Sequence, residues 1–429
     1  MNIIERGRAF LQGLQETAGR TVWDWRRCPH CGDTLTCKWG SYVRRPWSLT
    51  GRQTVRVQRH RCDGCQRTYA EQSALLVRGG WYAREVRRAA IDGWQHTGTS
   101  VRKVAEGLRS WLGRQERWLH WRPLDAEPPD GEQCHLSAST VERWLDGAGR
   151  AAAATVDGQL EGIASSGQVG TDGLWARLRG GAKRVVLALT DGVSGLVWPP
   201  VVVAEEATAA SWEHLFVRAK AAGLDLNALR GVTSDGAVGL ASYLEQVLTW
   251  VNHQRCAFHI WRGLGGELGR QVAQAVTGLA GAALQGAQRR VRRELVALVR
   301  TVVDAAGGEA AEQALGRLAA HPQGAALAQT LAGLVDAALV YRVGFNAGLQ
   351  RVGPEWLWRD FRLRLGHGRN HGSAARLERA ALLWASYRNF EPAQRRSERK
   401  RHYRRAGCSP LEMAGVSPGR VSYLDALAV

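Results

Sequence analysis

No stretch of about 18 uninterrupted apolar residues occurs in this 429-residue sequence, because the two best candidates are broken by Asp191 and Asp336. A helical membrane-spanning protein is therefore excluded. The first ten residues place Glu5, Arg6 and Arg8 where a secretory leader needs a basic start and then an apolar stretch, so cytoplasm is the expected compartment. Carboxylates are scarce, 39 Asp and Glu against 58 Lys and Arg, giving a formal charge of +19. A field of that sign attracts polyanions, nucleic acid first among them. Phenylalanine is scarce too, 6 residues beside 18 tryptophans. Hydrophobic content of 45% and charged content of 23% are ordinary for folded protein, which excludes wholesale disorder and a fibrous chain despite 50 glycines.

The basic excess sits in residues 1–150 and 346–429, whereas residues 151–250 carry more carboxylates than basic groups. Basic ends flanking an acidic middle suit a nucleic-acid enzyme that grips phosphates outside and holds metal ions inside. Length allows two to four domains at roughly 100 to 200 residues each.

The cysteines are clustered. Cys28 and Cys31 form one CxxC and Cys62 and Cys65 another, with 30 residues between the pairs. Four thiolates from two such knuckles suit a tetrahedral Zn²⁺, and in a reducing cytosol a metal is favoured over disulfides. The strand-like stretches between them carry Arg44, Arg45, Arg52, Arg56, Arg59 and Arg61, which reads as a basic zinc ribbon able to contact DNA. Cys37 lacks a partner at ligand spacing. Residues 82–112 follow as two amphipathic helices with Val101, Val104, Leu108 and Leu112 at helical spacing, and Ser137 opens another helix that displays Ser139, Thr140 and Arg143. This pattern is a helix-turn-helix with an insertion, its Arg143 available to DNA.

Beyond residue 162 the pattern becomes three short strands, a helix over Ala207–Ala222, a fourth strand ending in TSDG, a helix and a fifth strand, the order of an RNase H-like α/β fold. Residues 262–347 keep a 3.6-residue period and read as an inserted helical domain. The expected division is 1–78 zinc ribbon, 79–150 helix-turn-helix, 151–261 and 348–390 the two parts of the catalytic core, 262–347 insertion, and 391–429 a basic C-terminal tail.

Asp172 falls on the same strand face as Leu174, Ala176 and Leu178, and Asp235 ends another apolar strand beside Gly236. Two carboxylates on neighbouring strand ends can hold Mg²⁺, and a two-ion centre activates an attacking hydroxyl while stabilising the departing oxygen of a phosphodiester. Asp191 reads as a turn residue. Trp175, Trp356 and Trp358 lie near these carboxylates in sequence; core packing is the first reading for most tryptophans, with base stacking as the alternative.

The run from TDGLW through TSDG to QRCAFHIWRGL, followed by a long helical stretch, resembles the DDE transposases of the Mutator-like superfamily, including bacterial insertion-sequence members. The resemblance implies an RNase H-like catalytic domain with two Mg²⁺ ions, Mn²⁺ being a substitute. It implies strand cleavage and transfer at terminal inverted repeats, and a dimer or higher oligomer that pairs two DNA ends. Asp172 and Asp235 take the places of the first two carboxylates, and Cys256 and His259 those of the family's CxxH signature, in a supporting role. The third carboxylate is best matched by Glu355, on a helical stripe with Arg359 and Arg362 opposite Trp358, Phe361 and Leu365; Glu378 is its rival and Glu391 trails. A non-catalytic DNA-binding regulator and an RNase H-like nuclease without strand transfer are the competing readings.

Overall fold

The computed structural model describes residues 27–71, 75–77, 80–119, 134–155, 160–340, 358–362, 371–392, 407–419, 421–427 and 429. Glu355 and Trp356 lie outside them. The Cys-rich segment forms a three-stranded antiparallel sheet in which β1 (Thr36–Arg44) pairs with β4 (Val55–Cys62) and β4 with β5 (Thr68–Ala70). Between them a short hairpin of β2 (Trp47–Ser48) and β3 (Gly51–Arg52) carries the buried Trp47 onto the helices that follow. The ribbon's own core is small, Cys28, Cys62 and Tyr69 with Cys65 at its edge. An apolar nucleus of that size does not hold a fold alone.

Three helices follow: α1 (Arg84–Thr97), α2 (Val101–Leu119) and α3 (Ala138–Ala154). Gly98, at φ +58°, closes α1 in the left-handed conformation, and the Ser137 hydroxyl caps α3 by accepting from the Thr140 N–H. Val104 and Leu112 are buried against Val86, Ala90 and Trp94, as their spacing requires. α2 extends to Leu119, seven residues beyond its expected end, since no proline interrupts the chain there.

The central sheet has the order β10-β9-β6-β7-β8, built from β6 (Gln168–Arg177), β7 (Lys183–Asp191), β8 (Val201–Val203), β9 (Gly231–Ser234) and β10 (Asn252–Arg255). β10, β9 and β6 run parallel, while β6–β7 and β7–β8 are antiparallel. Helix α4 (Ala209–Ala221) connects β8 to β9, and α5 (Val238–Gln246) connects β9 to β10. Alternation along β7 sorts Val185, Leu187 and Leu189 to the face covered by Trp212, Phe216, Leu240 and Tyr243. Val186 and Ala188 face the other way.

From β10 the chain enters α6 (Ala257–Ala275), then α7 (Gly281–Val303), α8 (Gly308–Ala320), α9 (Ala325–Ala332) and α10 (Val335–Ala338). These helices share a separate core that takes Ile260, Leu264, Leu268 and Val272 from one stripe of α6 and Leu295, Val299 and Val302 from α7. The boundary expected at 261/262 thus falls inside a helix. Gly263, Gly265, Gly266 and Gly269 occupy the rest of α6 with nothing near the position of a side chain. Their low helix propensity means that packing of the apolar stripe keeps α6 wound.

α11 (Ala374–Phe390) shows no single apolar stripe because it buries side chains against two different layers. Leu377, Ala381 and Trp384 pack with Leu174, Trp358 and Phe361 on the sheet, while Leu382, Leu383 and Tyr387 pack with Ala148 and Ala152 of α3. The chain end after Gly407 is not a free tail. α12 (Pro410–Met413) and α13 (Tyr423–Ala426) each open with a capping box, at Ser409/Glu412 and Ser422/Asp425, and bury Leu411 and Leu424. Arg88 on α1 pairs with Asp425 at 2.5 Å, and the Tyr423 hydroxyl donates to Asp92 at 2.7 Å, so this segment fastens the three helices to α11. The basic run 393–406 lies outside the described residues. Among the described residues no helix is long and apolar enough to cross a membrane.

Candidate active site

Parallel register brings the two aspartates level. β6 pairs with β9 through Gly170↔Thr233, and each aspartate stands two residues further on, where the strands part. Asp172 is buried, and its Oδ1 accepts from the Gly173 N–H at 2.9 Å. Asp235 begins the turn into α5 and accepts from the Ala237 N–H at 3.0 Å. His259 arrives from the first turn of α6, positioned because the Cys256 N–H binds the Ser234 carbonyl at 2.7 Å and ends β10 level with β9. Ligand atoms of Asp172, Asp235 and His259 all lie within 4.8 Å of one another. Two carboxylates and an imidazole so close can share one divalent ion, the oxygens matching a hard cation and the nitrogen tolerating Mn²⁺ better than Mg²⁺. Cys256 is buried beneath them and supplies no ligand to this group.

The floor of the site is fixed by short polar ties. The Ser234 hydroxyl is 2.7 Å from His253 Nε2 and accepts from the Gly236 N–H. Burial and then the charge of Arg255 hold His253 below the usual imidazole range, against the opposing pull of Asp235. Gly236 has φ +85°, and a Cβ there would collide with the Arg255 guanidinium. Gly236→Ala is therefore expected to lower stability by about 1 kcal/mol or more, from left-handed strain, since the flexible Arg255 side chain can shift; this is read as a drop in thermal midpoint.

Glu206 gives no motif in the sequence, yet the structure sets it beside the aspartates. One carboxylate oxygen accepts from the exposed Trp175 indole at 3.0 Å, and the other occupies the space where Gly173 would carry a Cβ. Gly239 packs against the Glu206 backbone carbonyl, so the residue is wedged between the two aspartate-bearing segments. Burial raises its pKa; the Trp175 hydrogen bond partly offsets this, and the charge of Asp235 raises it further. Its only sequence signal is the acidic pair Glu205–Glu206 ahead of a helix. Trp358, by contrast, is a core residue stacked on Trp384. Asp191 is a turn residue that accepts from the N–H groups of Ser166, Val193 and Ser194. Glu378 is held by Arg218 of α4 at 2.6 Å and is not in the acidic cluster. Arg359 and Arg362 are exposed on the 358–362 helical turn, opposite the buried Trp358 and Phe361.

In the ribbon, Cys28, Cys31, Cys62 and Cys65 converge within the same 4.8 Å limit. Sulfur separations of 3.6 Å for Cys28–Cys65 and 3.5 Å for Cys31–Cys62 approach the ~3.8 Å edge of a tetrahedron with 2.3 Å Zn–S bonds, far beyond a disulfide. The donor set and its spacing fit zinc. Cys37 stands apart and is exposed. Of the basic residues read as DNA contacts, Arg45, Arg56 and Arg59 are exposed, as is Arg143 on α3. Arg44 instead donates to the carbonyls of Val77 and Gly80 and ties the ribbon to its neighbouring loop.

A family model described as "Transposase, Mutator family" matches residues 199–280. The matched span covers β8 through α6 and includes Asp235, Cys256 and His259. This supports a Mutator-like transposase, the family that the motif run resembles. No curated protein matches the chain.

Proposed function

We propose that the chain is a DDE-type DNA transposase that binds the terminal inverted repeats of an insertion sequence and cleaves and joins DNA strands. The observation that carries the reading is the convergence of Asp172 and Asp235, 63 positions apart, at neighbouring ends of parallel strands. The strand order β10-β9-β6-β7-β8, with a helix following β8, supports an RNase H-like catalytic domain. Glu355 completes the carboxylate set: it lies three positions before Trp358, whose ring packs in one cluster with Leu174, two residues from Asp172. The pairing of Glu378 with Arg218 favours Glu355 over it for this role.

Asp172, Asp235 and Glu355 would hold two Mg²⁺ ions, which supply charge neutralisation to the attacking and departing oxygens of an in-line displacement. The aspartates fix where the scissile phosphate sits. His259, in the same cluster, donates to a phosphate oxygen and orients the strand. Water attacks phosphorus first and frees a 3′-hydroxyl, which then attacks a target phosphodiester and displaces its 3′-oxygen. The ribbon, structured by zinc, and the three-helix unit, acting as a helix-turn-helix, grip the element ends. Two ends act together, so the working form is a dimer or larger.

The deciding assay incubates purified protein with Mg²⁺ and labelled DNA bearing the repeats that flank its own gene. Joined products support transposition. Nicking without joining leaves a nuclease, and binding without nicking leaves a regulator. Glu206→Gln is expected to raise the Mg²⁺ concentration for half-maximal cleavage on the order of 10-fold, the size typical of a group acting through a metal ligand. A Mg²⁺ titration of cleavage unchanged from the parent would remove Glu206 from that role.

A further inference from the structure

Helices α3 and α11 meet at Gly149, where a Cβ would lie 2.8 Å from the Arg379 Cβ and carbonyl oxygen. From that contact toward the N-terminal ends of both helices opens a cavity of about 290 Å³. Ser139 and Arg143 line it from α3, Arg376 and Arg379 from α11, and Ser100 from the start of α2. Trp94 and Leu383 give it an apolar floor.

The charges here do not cancel completely. Asp146 is claimed by Arg379 at 2.7 Å and by Arg150. Arg143 donates to the Thr140 hydroxyl at 3.1 Å and stays exposed. Arg376 is exposed, and among the described residues its guanidinium donates to no acceptor. His371, on the wall, is held down to about 4 by burial and then by the charge of Arg376, so its ring is neutral at physiological pH. Glu142 is the carboxylate left opposite these cations. Two guanidiniums on facing helices, with the Ser100 and Ser139 hydroxyls lining the same cavity, offer donors suited to a tetrahedral oxyanion, and the volume admits a phosphate with its sugar but no base pair.

We propose that this cleft is a phosphate-binding site that holds one backbone phosphate of bound DNA between Arg143 and Arg376. The assignment rests on the DNA-processing reading above and extends it: α3 belongs to the three-helix unit, whereas α11 packs on the sheet against Leu174. A phosphate gripped here is fixed relative to Asp172.

The test uses the full chain with a fluorescent duplex, its affinity measured across a range of KCl. Arg143→Ala and Arg376→Ala should each flatten the slope of log K against log salt by about 1, the release expected for one phosphate. Because they share that phosphate, the double variant should flatten it by no more than either single change. Glu142→Gln should tighten binding. Thermal melting with millimolar inorganic phosphate or a nucleoside monophosphate separates the sources. Stabilisation of the parent but not of Arg376→Ala, with the DNA slope unmoved, would assign the cleft to a small phosphate compound and overturn the DNA proposal. Unchanged slopes with no phosphate response would overturn the site altogether. Asp172→Asn serves as reference: lost cleavage there with unaffected cleft variants sinks the cleft and leaves the transposase reading standing. Retained cleavage in Asp172→Asn sinks that reading, while the slopes still judge the cleft.

Discussion

Asp172→Asn and Asp235→Asn should each reduce Mg²⁺-dependent strand cleavage by more than about 100-fold, beyond the loss usual for a group outside the metal's own ligands, while DNA binding should persist. Asn keeps the shape and, at 235, can still accept from the Ala237 N–H, so the fold has no reason to fail. The metal-free protein should even gain stability. Carboxylates confined to one 4.8 Å cluster repel when both are ionised, and amidation of either removes that repulsion. Millimolar Mg²⁺ or Mn²⁺ should then raise the thermal midpoint of the parent through linkage but leave the variants nearly unmoved. Equal stabilisation of parent and variants by the cation would show that these aspartates hold no metal, and would count against the catalytic reading even if activity fell.

The second large effect concerns the ribbon. Cys28→Ser or Cys62→Ser, or treatment with a strong chelator, is expected to unfold residues 27–71 while leaving the central sheet intact. A zinc site of this kind contributes an apparent 10 to 16 kcal/mol, roughly, at neutral pH, whereas the ribbon's own apolar cluster is only Cys28, Cys62 and Tyr69 with Cys65 at its edge, beside the buried Val57 and His60. The sheet and the insertion have cores of their own, which do not include these cysteines. Limited proteolysis should therefore cut the ribbon first, and metal analysis should find one zinc per chain in the parent. Acid should mimic the chelator. At Cys28, burial works against the thiolate, but N–H donors of His30 and Cys31 and the neighbouring thiols bring it down from 9.0 to about 7. Cys31 and Cys65 are shifted upward instead, Cys31 to about 12, and metal binding removes protons from all of these thiols, so affinity falls as pH drops. A ribbon that keeps its protease resistance without metal would refute the structural role.

The parts of this molecule that follow from local rules were legible before any coordinates. Period-two alternation sorted the faces of β6 and β7, the paired CxxC spacing marked four converging thiols, and TSDG marked a strand end whose aspartate projects into the site. What was not legible depends on distant partners. Glu206 became part of the site only because Gly173 leaves room for its carboxylate and Trp175 holds it. Arg44 looked like a DNA contact because its sequence neighbours are basic, but two carbonyls of a separate loop claim its donors. Glu378 sits in a helix with flanking arginines, as the third carboxylate was expected to, and is spoken for by Arg218 from 160 residues away. The chain end hid its structure for a different reason: helices of four residues are too short to show a period, and only their capping boxes announce them.

Helix α6 carries His259 in its first turn and continues, without an intervening loop, into the apolar stripe that anchors the insertion. With four glycines along its open side, it forgoes roughly 4 kcal/mol of intrinsic helicity compared with alanine. Its winding is consequently borrowed from its neighbours. Any partner that prises the insertion from Leu264 and Leu268 also loosens the turn presenting the imidazole, whereas tightening that contact steadies it.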